Sequence, residues 1–145
     1  AWDFSAARTI DVLGTERGRH FAGGLRCWNM SVQWWLVQYV HRRAPLPRTL
    51  RSAWTMLVSA FWHGLQPGLY LSFLTVPVWL AAERAAERVV RGHLGARAWA
   101  LAAGPHWFLK MRAFDYLCMG FVLREARATL GYWASVYFCG HLVPI

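Results

Sequence analysis

Two residues in this sequence carry side chains able to move a proton or steady a developing charge from within apolar surroundings. His63 lies in Ser52 to Gly64, SAWTMLVSAFWHG, and is the one strongly basic group of that run. Asn29 lies upstream in Cys27 to Tyr39, CWNMSVQWWLVQY, beside Trp28 and near Trp34 and Trp35. An imidazole takes a proton near neutral pH, so a buried histidine suits general-base work on a hydroxyl. An asparagine amide can donate to an oxyanion or orient a nucleophile. Carried on separate helices that converge on a cavity, the two suit acyl transfer to an alcohol. The residue types alone fit a histidine satisfied in a core or an interface just as well.

Other candidates are weaker. Lys110 and Arg112 stand in the apolar run Trp107 to Leu123, where a phosphate on a lipid or on coenzyme A would need cations. Asp115, three residues after Arg112, offers an internal ion pair instead. Ser59 lies one helical turn before His63, but no GxSxG elbow or acidic orienter makes it a nucleophile. His20, His41, His93, His106 and His141 show no paired spacing such as HExxH and read as structural. Cys27, Cys118 and Cys139 are odd in number and lack a CxxC pair, so they read as reduced, packed thiols rather than a disulfide framework or a zinc site. The stripe Trp28, Trp34, Trp35, Tyr39 suits packing or anchoring at a membrane interface.

Helices must position these groups. Residues 1–26 are polar and glycine-containing and read as loop and short helix at a membrane surface. The apolar run 28–40 is too short to cross a hydrocarbon core, which needs about 20 helical residues. His41 to Arg51, HRRAPLPRTLR, reads as a loop, because Pro45 and Pro47 break helices and its arginines avoid lipid. A helix resuming at Ser52 places His63 about 16 Å along it, near the middle of a core about 30 Å thick. Gly64, Gln66, Pro67 and Gly68 then interrupt the helix, and backbone freed at depth has to line a cavity. Gly64 to Ala82 is long enough to span, with a charged surface helix following over Glu83 to Arg97. Residues 107–123 would span by length but for Lys110, Arg112 and Asp115, and Thr129 to Ile145 is a last apolar run. No repeat, heptad or sustained alternation is present, so the chain reads as all-α: a polytopic transmembrane helical bundle with interfacial and broken helices around a membrane cavity.

Composition agrees. Hydrophobic residues make up 57% of the 145, above a globular norm of roughly 45–50%, and ten are Trp. The net charge of +9 gathers beside apolar runs, at Arg42, Arg43, Arg48 and Arg51, at Arg84, Arg88, Arg91 and Arg97, and at Arg124 and Arg127. Such flanks attract anionic head groups. No recognition motif accompanies the charge, so nucleic acid is not expected as a partner. Ala1 to Thr15 carries Asp3 and Asp11 and shows no signal-peptide pattern. The first residue is not Met, and the apolar run ending at Ile145 has no polar cap. The chain is therefore expected to be part of a longer protein, with residues 1–27 as surface loop and short helices and 28–145 as catalytic-core helices of one domain.

Four stretches carry a resemblance: Trp28-Asn29-Met30-Ser31-Val32-Gln33-Trp34-Trp35, Arg51-Ser52-Ala53-Trp54-Thr55-Met56-Leu57 with Ser59-Ala60-Phe61-Trp62-His63-Gly64, Trp107-Phe108-Leu109-Lys110-Met111-Arg112-Ala113, and Tyr132-Trp133-Ala134-Ser135-Val136-Tyr137-Phe138-Cys139. Over about Trp2 to Cys139 the chain resembles the membrane-bound O-acyltransferase family, in its lysophosphatidylinositol acyltransferase branch. The resemblance implies a multi-pass endoplasmic reticulum enzyme that moves a fatty acyl chain, typically polyunsaturated such as arachidonoyl, from acyl-coenzyme A to the free hydroxyl of a lysophospholipid. His63 matches the family's base and Asn29 its asparagine, with Trp62, Gln33, Lys110 and Arg112 as candidate substrate-binding residues. Membrane lipids are the expected surroundings, and no metal or redox cofactor is expected. Two other readings stay open: another branch acting on a different lysophospholipid, a sterol or a protein, and a non-enzymatic membrane scaffold or transporter fragment.

Overall fold

The computed structural model describes residues 7–93, 95 and 100–144, and among these every regular element is helical. Trp2, Asp3 and Arg97 lie outside the described residues. The first helix, α1 (Val12–Arg17), is capped by Asp11, whose carboxylate accepts from Gly14 N at 3.3 Å. Helix α2 (Phe21–Cys27) follows, and α3 (Met30–Trp35) runs into a π-helical turn over Leu36–His41.

Helix α4 (Arg48–His63) starts three residues after Pro45, earlier than the loop expected through Arg51. Pro47 is the reason: as the residue leading into the helix it has no N–H to satisfy, and its fixed φ, here −54°, prepares the turn. Arg51 adds to the entry by donating Nε–H to the Leu46 carbonyl at 3.0 Å. The far end is where the sequence puts it. Gly64 sits at φ 143°, ψ −177°, a backbone that a side chain would strain, so α4 stops at His63.

Pro67 then opens α5 (Pro67–His93), which continues unbroken through the charged segment expected as a separate surface helix. Ala81 to Ala86 are strong helix formers with no breaker among them, so nothing ends the helix at Ala82. Helix α6 (Ala103–Leu123) returns antiparallel to α5, with Gly68 beside Gly120, Ser72 Oγ donating to Leu117 O at 2.6 Å, and Glu83 against His106. A Cβ on Gly120 would strike the Gly68 carbonyl and the Ser72 hydroxyl, so this crossing requires glycine.

The last apolar run does not form one helix. It divides into α7 (Ala126–Ser135) and α8 (Cys139–Leu142), because Tyr137 and Phe138 turn left-handed at φ 53° and 49°. Phe138 N bonds to Trp133 O (2.7 Å) and Tyr137 N to Ala134 O (2.9 Å), the paired bonds of a Schellman ending, which hydrophobicity does not disclose. The core gathers Phe21, Val76, Ala113, Tyr116, Leu117 and Trp133, with Trp133 stacked on Tyr116 and donating to its carbonyl at 3.1 Å.

The helical class stands, but among the described residues no helix is long and apolar enough to cross a membrane. This corrects the expectation that Gly64 to Ala82 spans. That stretch is broken at its start and belongs to a 27-residue helix whose far third is charged. Helix α6 has the length but carries Lys110, Arg112 and Asp115.

Candidate active site

His63 and Asn29 line the same cavity, of about 330 Å³, although they come from different elements. Asn29 is the hinge between α2 and α3. Its φ of 50° and ψ of 52° are left-handed, a conformation asparagine tolerates better than most residues. Its amide makes no capping hydrogen bond to α3, which leaves it available to the cavity. Gln33, one turn further on, lines the cavity too and is anchored by donating Nε2–H to the Leu25 carbonyl at 3.1 Å.

His63 is the last residue of α4, and its ring is held by aromatics. Phe73 lies at 5.1 Å between centroids, Phe121 at 5.7 Å edge-on, and Trp62 at 4.8 Å edge-on. No hydrogen bond to its ring is made among the described residues, so both nitrogens can serve a ligand. The walls repeat at helical spacing: Met56 and Ser59 before His63 on α4, Ser72, Phe73 and Val76 on α5, and Met111, Phe114, Leu117, Cys118 and Phe121 on α6. The lining is overwhelmingly apolar, and the polar groups of Asn29, Gln33 and His63 stand out within it. An amide, an imidazole and an apolar slot suit a hydroxyl reacting with a long-chain acyl group.

The other candidate residues lie elsewhere. Trp62 is exposed and touches the site only through the His63 ring. Lys110 is 2% exposed, and its Nζ donates to the carbonyls of Thr15 (2.6 Å) and Glu16 (3.2 Å) at the end of α1. Arg112 is exposed, pairs with Asp115 at 2.6 Å as its spacing predicted, and lies over the Phe108 ring.

Two of the remaining histidines, His41 and His141, tie elements together. His41 Nδ1 lies 3.0 Å from Thr55 Oγ1, whose own proton goes to Arg51 O at 2.7 Å, so the imidazole is the donor that ties the π-helical turn to α4. Thr75 likewise donates to Leu71 O, so His141 Nε2 donates to Thr75 while its Nδ1 accepts from the Tyr116 hydroxyl at 2.6 Å. Cys118 and Cys139 are exposed rather than packed, and Cys118 forms part of the cavity wall.

An amide and an imidazole line one apolar cavity among helices, and comparison with known sequences gives the class of protein to which this fold belongs. Residues 3–121 match the membrane-bound O-acyltransferase family, and the chain belongs to it. More particularly, it is 53% identical to human membrane-bound acylglycerophosphatidylinositol O-acyltransferase MBOAT7, over 99% of this chain and 31% of that protein. The zebrafish (Danio rerio) protein of the same description is 50% identical over the same shares. The corresponding Drosophila melanogaster protein, frj, is 30% identical over 97% of this chain and 29% of its own length. The chain thus spans about a third of the curated relatives it matches.

Proposed function

We propose that this chain is the catalytic-core portion of an acyl-coenzyme A dependent lysophospholipid O-acyltransferase of the endoplasmic reticulum membrane, with lysophosphatidylinositol as acceptor and a polyunsaturated acyl chain as donor. The observation that supports this most is that His63 and Asn29 face one apolar cavity from two separate elements. The acceptor assignment draws on the human, zebrafish and fly relatives, each described as an acylglycerophosphatidylinositol acyltransferase.

In this reading the His63 imidazole takes the proton of the lysophospholipid hydroxyl as its oxygen attacks the thioester carbonyl. The Asn29 amide donates to the carbonyl oxygen as charge develops there. Collapse breaks the carbon–sulfur bond, and the coenzyme A thiolate takes the proton back from His63. The products are the phospholipid ester and free coenzyme A, and the imidazole ends neutral. The step runs on these protein groups and needs no metal or redox cofactor. Gln33 steadies the acceptor beside Asn29, and Trp62 holds the plane of the His63 ring. Lys110 is occupied by the α1 carbonyls, so Arg112, which can exchange Asp115 for a phosphate, is the cation assigned to coenzyme A or the head group.

The test is transfer of labelled arachidonoyl chain by the full-length parent protein in membranes, to lysophosphatidylinositol, lysophosphatidylcholine and lysophosphatidylserine, with His63 intact or replaced by Ala. Loss of about 10²–10⁴-fold in the correctly inserted variant supports the base assignment. Undiminished transfer removes His63 from the mechanism, and preference for another acceptor moves the chain to a different branch.

A further inference from the structure

His20, Glu83 and His106 meet at the opposite end of the α5/α6 pair from Gly68 and Gly120, and none of the three lines the His63 cavity. Their donor atoms all lie within 4.8 Å of one another, with His106 Nε2 at 3.1 Å and His20 Nδ1 at 4.0 Å from Glu83 Oε1. The two imidazole rings stand edge to face at 5.1 Å. His20 Nδ1 is buried, and although Glu87 Oε1 comes within 2.6 Å, the direction is not that of a hydrogen bond. Beside the rings is a void of about 10 Å³, lined by Arg19, His20, Ala102, Ala103 and His106, about the room of one water.

We propose that His20, Glu83 and His106 form a zinc site that clamps α2 against α5 and α6, with a water in the void beside the two rings as the fourth ligand. Two imidazoles, one carboxylate and a water make a ligand set that zinc accepts. A tetrahedral ion with bonds of 2.0–2.1 Å spaces its ligand atoms roughly 3.3 Å apart, so the observed separations need only small side-chain rotations. Glu83 offsets one of the ion's two charges, and Arg19 at the rim is exposed to solvent.

The support behind the ligands is already built. Glu83 accepts from Phe21 N at 2.5 Å through Oε1 and from Ala22 N at 2.9 Å through Oε2, which fixes the carboxylate as outer-shell hydrogen bonds fix metal ligands. On binding, zinc takes the place of the Nε2 proton that His106 gives Glu83, and the neutral ring carries its proton on Nδ1 instead. Phe21, held by the same carboxylate, packs in the core and lines the reaction cavity, so the clamp sets where α2 delivers Asn29.

The experiment uses the full-length protein in detergent, stripped with chelator, loaded with Co²⁺ or Zn²⁺ and desalted, with retained metal measured by mass spectrometry and Co²⁺ by its visible absorption. The expected result is about one ion per chain and the intense d–d bands of a four-coordinate site. His106→Ala should weaken Co²⁺ binding by at least about 100-fold, since even outer-shell changes cost 10–100-fold. His93→Ala, which removes an exposed imidazole bonded to its own helix, should leave uptake unchanged. His106→Cys covers the case in which the alanine variant fails to fold, because a direct ligand there gives a thiolate-to-cobalt charge-transfer band in the near ultraviolet. No retained metal, retention that His106→Ala does not lower, or a cysteine variant that folds and binds Co²⁺ without that band overturns the site and leaves a metal-free histidine–carboxylate network. Metal uptake is read without acyl transfer, so failure of one proposal does not disguise failure of the other.

Discussion

At the scale of single residues, the sharpest contrast is between Asn29 and Lys110, both polar and both set among apolar neighbours. Asn29 points an amide without a capping bond at the cavity, whereas Lys110 turns its ammonium onto two carbonyls at the end of α1. Asn29→Asp tests the first. Aspartate also tolerates the left-handed backbone and keeps the shape, but loses the N–H donors. Transfer should therefore fall about 10²–10³-fold, as for loss of an oxyanion donor, with the thermal unfolding midpoint nearly unchanged. Lys110→Met tests the second. It removes hydrogen bonds from a charged donor, worth about 1.5–3 kcal/mol each, and should lower the midpoint while leaving KM for acyl-coenzyme A unaltered. Arg112→Ala should do the reverse, raising that KM with little change in kcat or stability, because it leaves only an exposed pair with Asp115.

At the scale of elements, the stops were more legible than the continuations. Gly64 to Gly68 announces a break because glycine and proline act locally, and the helix ends at His63 for that reason. The merger of the charged segment into α5 and the turn at Tyr137 and Phe138 depend on what surrounds the chain, so local composition misplaces both. The site divides in the same way. His63 and Asn29 stand out as polar groups in apolar runs, and the cavity walls follow helical spacing once the helices are known. The meeting of His20, Glu83 and His106 is invisible in the sequence, because three elements far apart in the chain contribute one residue each. Two contacts then hold the elements that carry the site. Gly120→Ala should press a methyl group into the Gly68 carbonyl and cost about 1–3 kcal/mol in stability, measured by denaturant or thermal unfolding. Thr55→Val keeps the shape but orphans the His41 donor, for about 1–3 kcal/mol, and should loosen the π-helical turn, whose Leu36 lines the cavity.

At the scale of the whole molecule, the groups proposed to react sit on the edges of elements rather than in their middles. His63 is the final residue of its helix, and Asn29 is the joint between two short ones. The core of Phe21, Val76, Ala113, Tyr116, Leu117 and Trp133 lies mainly on α5, α6 and α7, so the most cooperative part of the chain carries neither of them. Helix ends and joints open at a lower free energy than core helices. Heating should therefore silence the protein in two stages, with acyl transfer fading reversibly several degrees before the helical circular dichroism signal collapses. On this account the working range in temperature is set by the His41–Thr55 latch and the glycine-ended α4, and reinforcing those two places would widen it where further core packing would not.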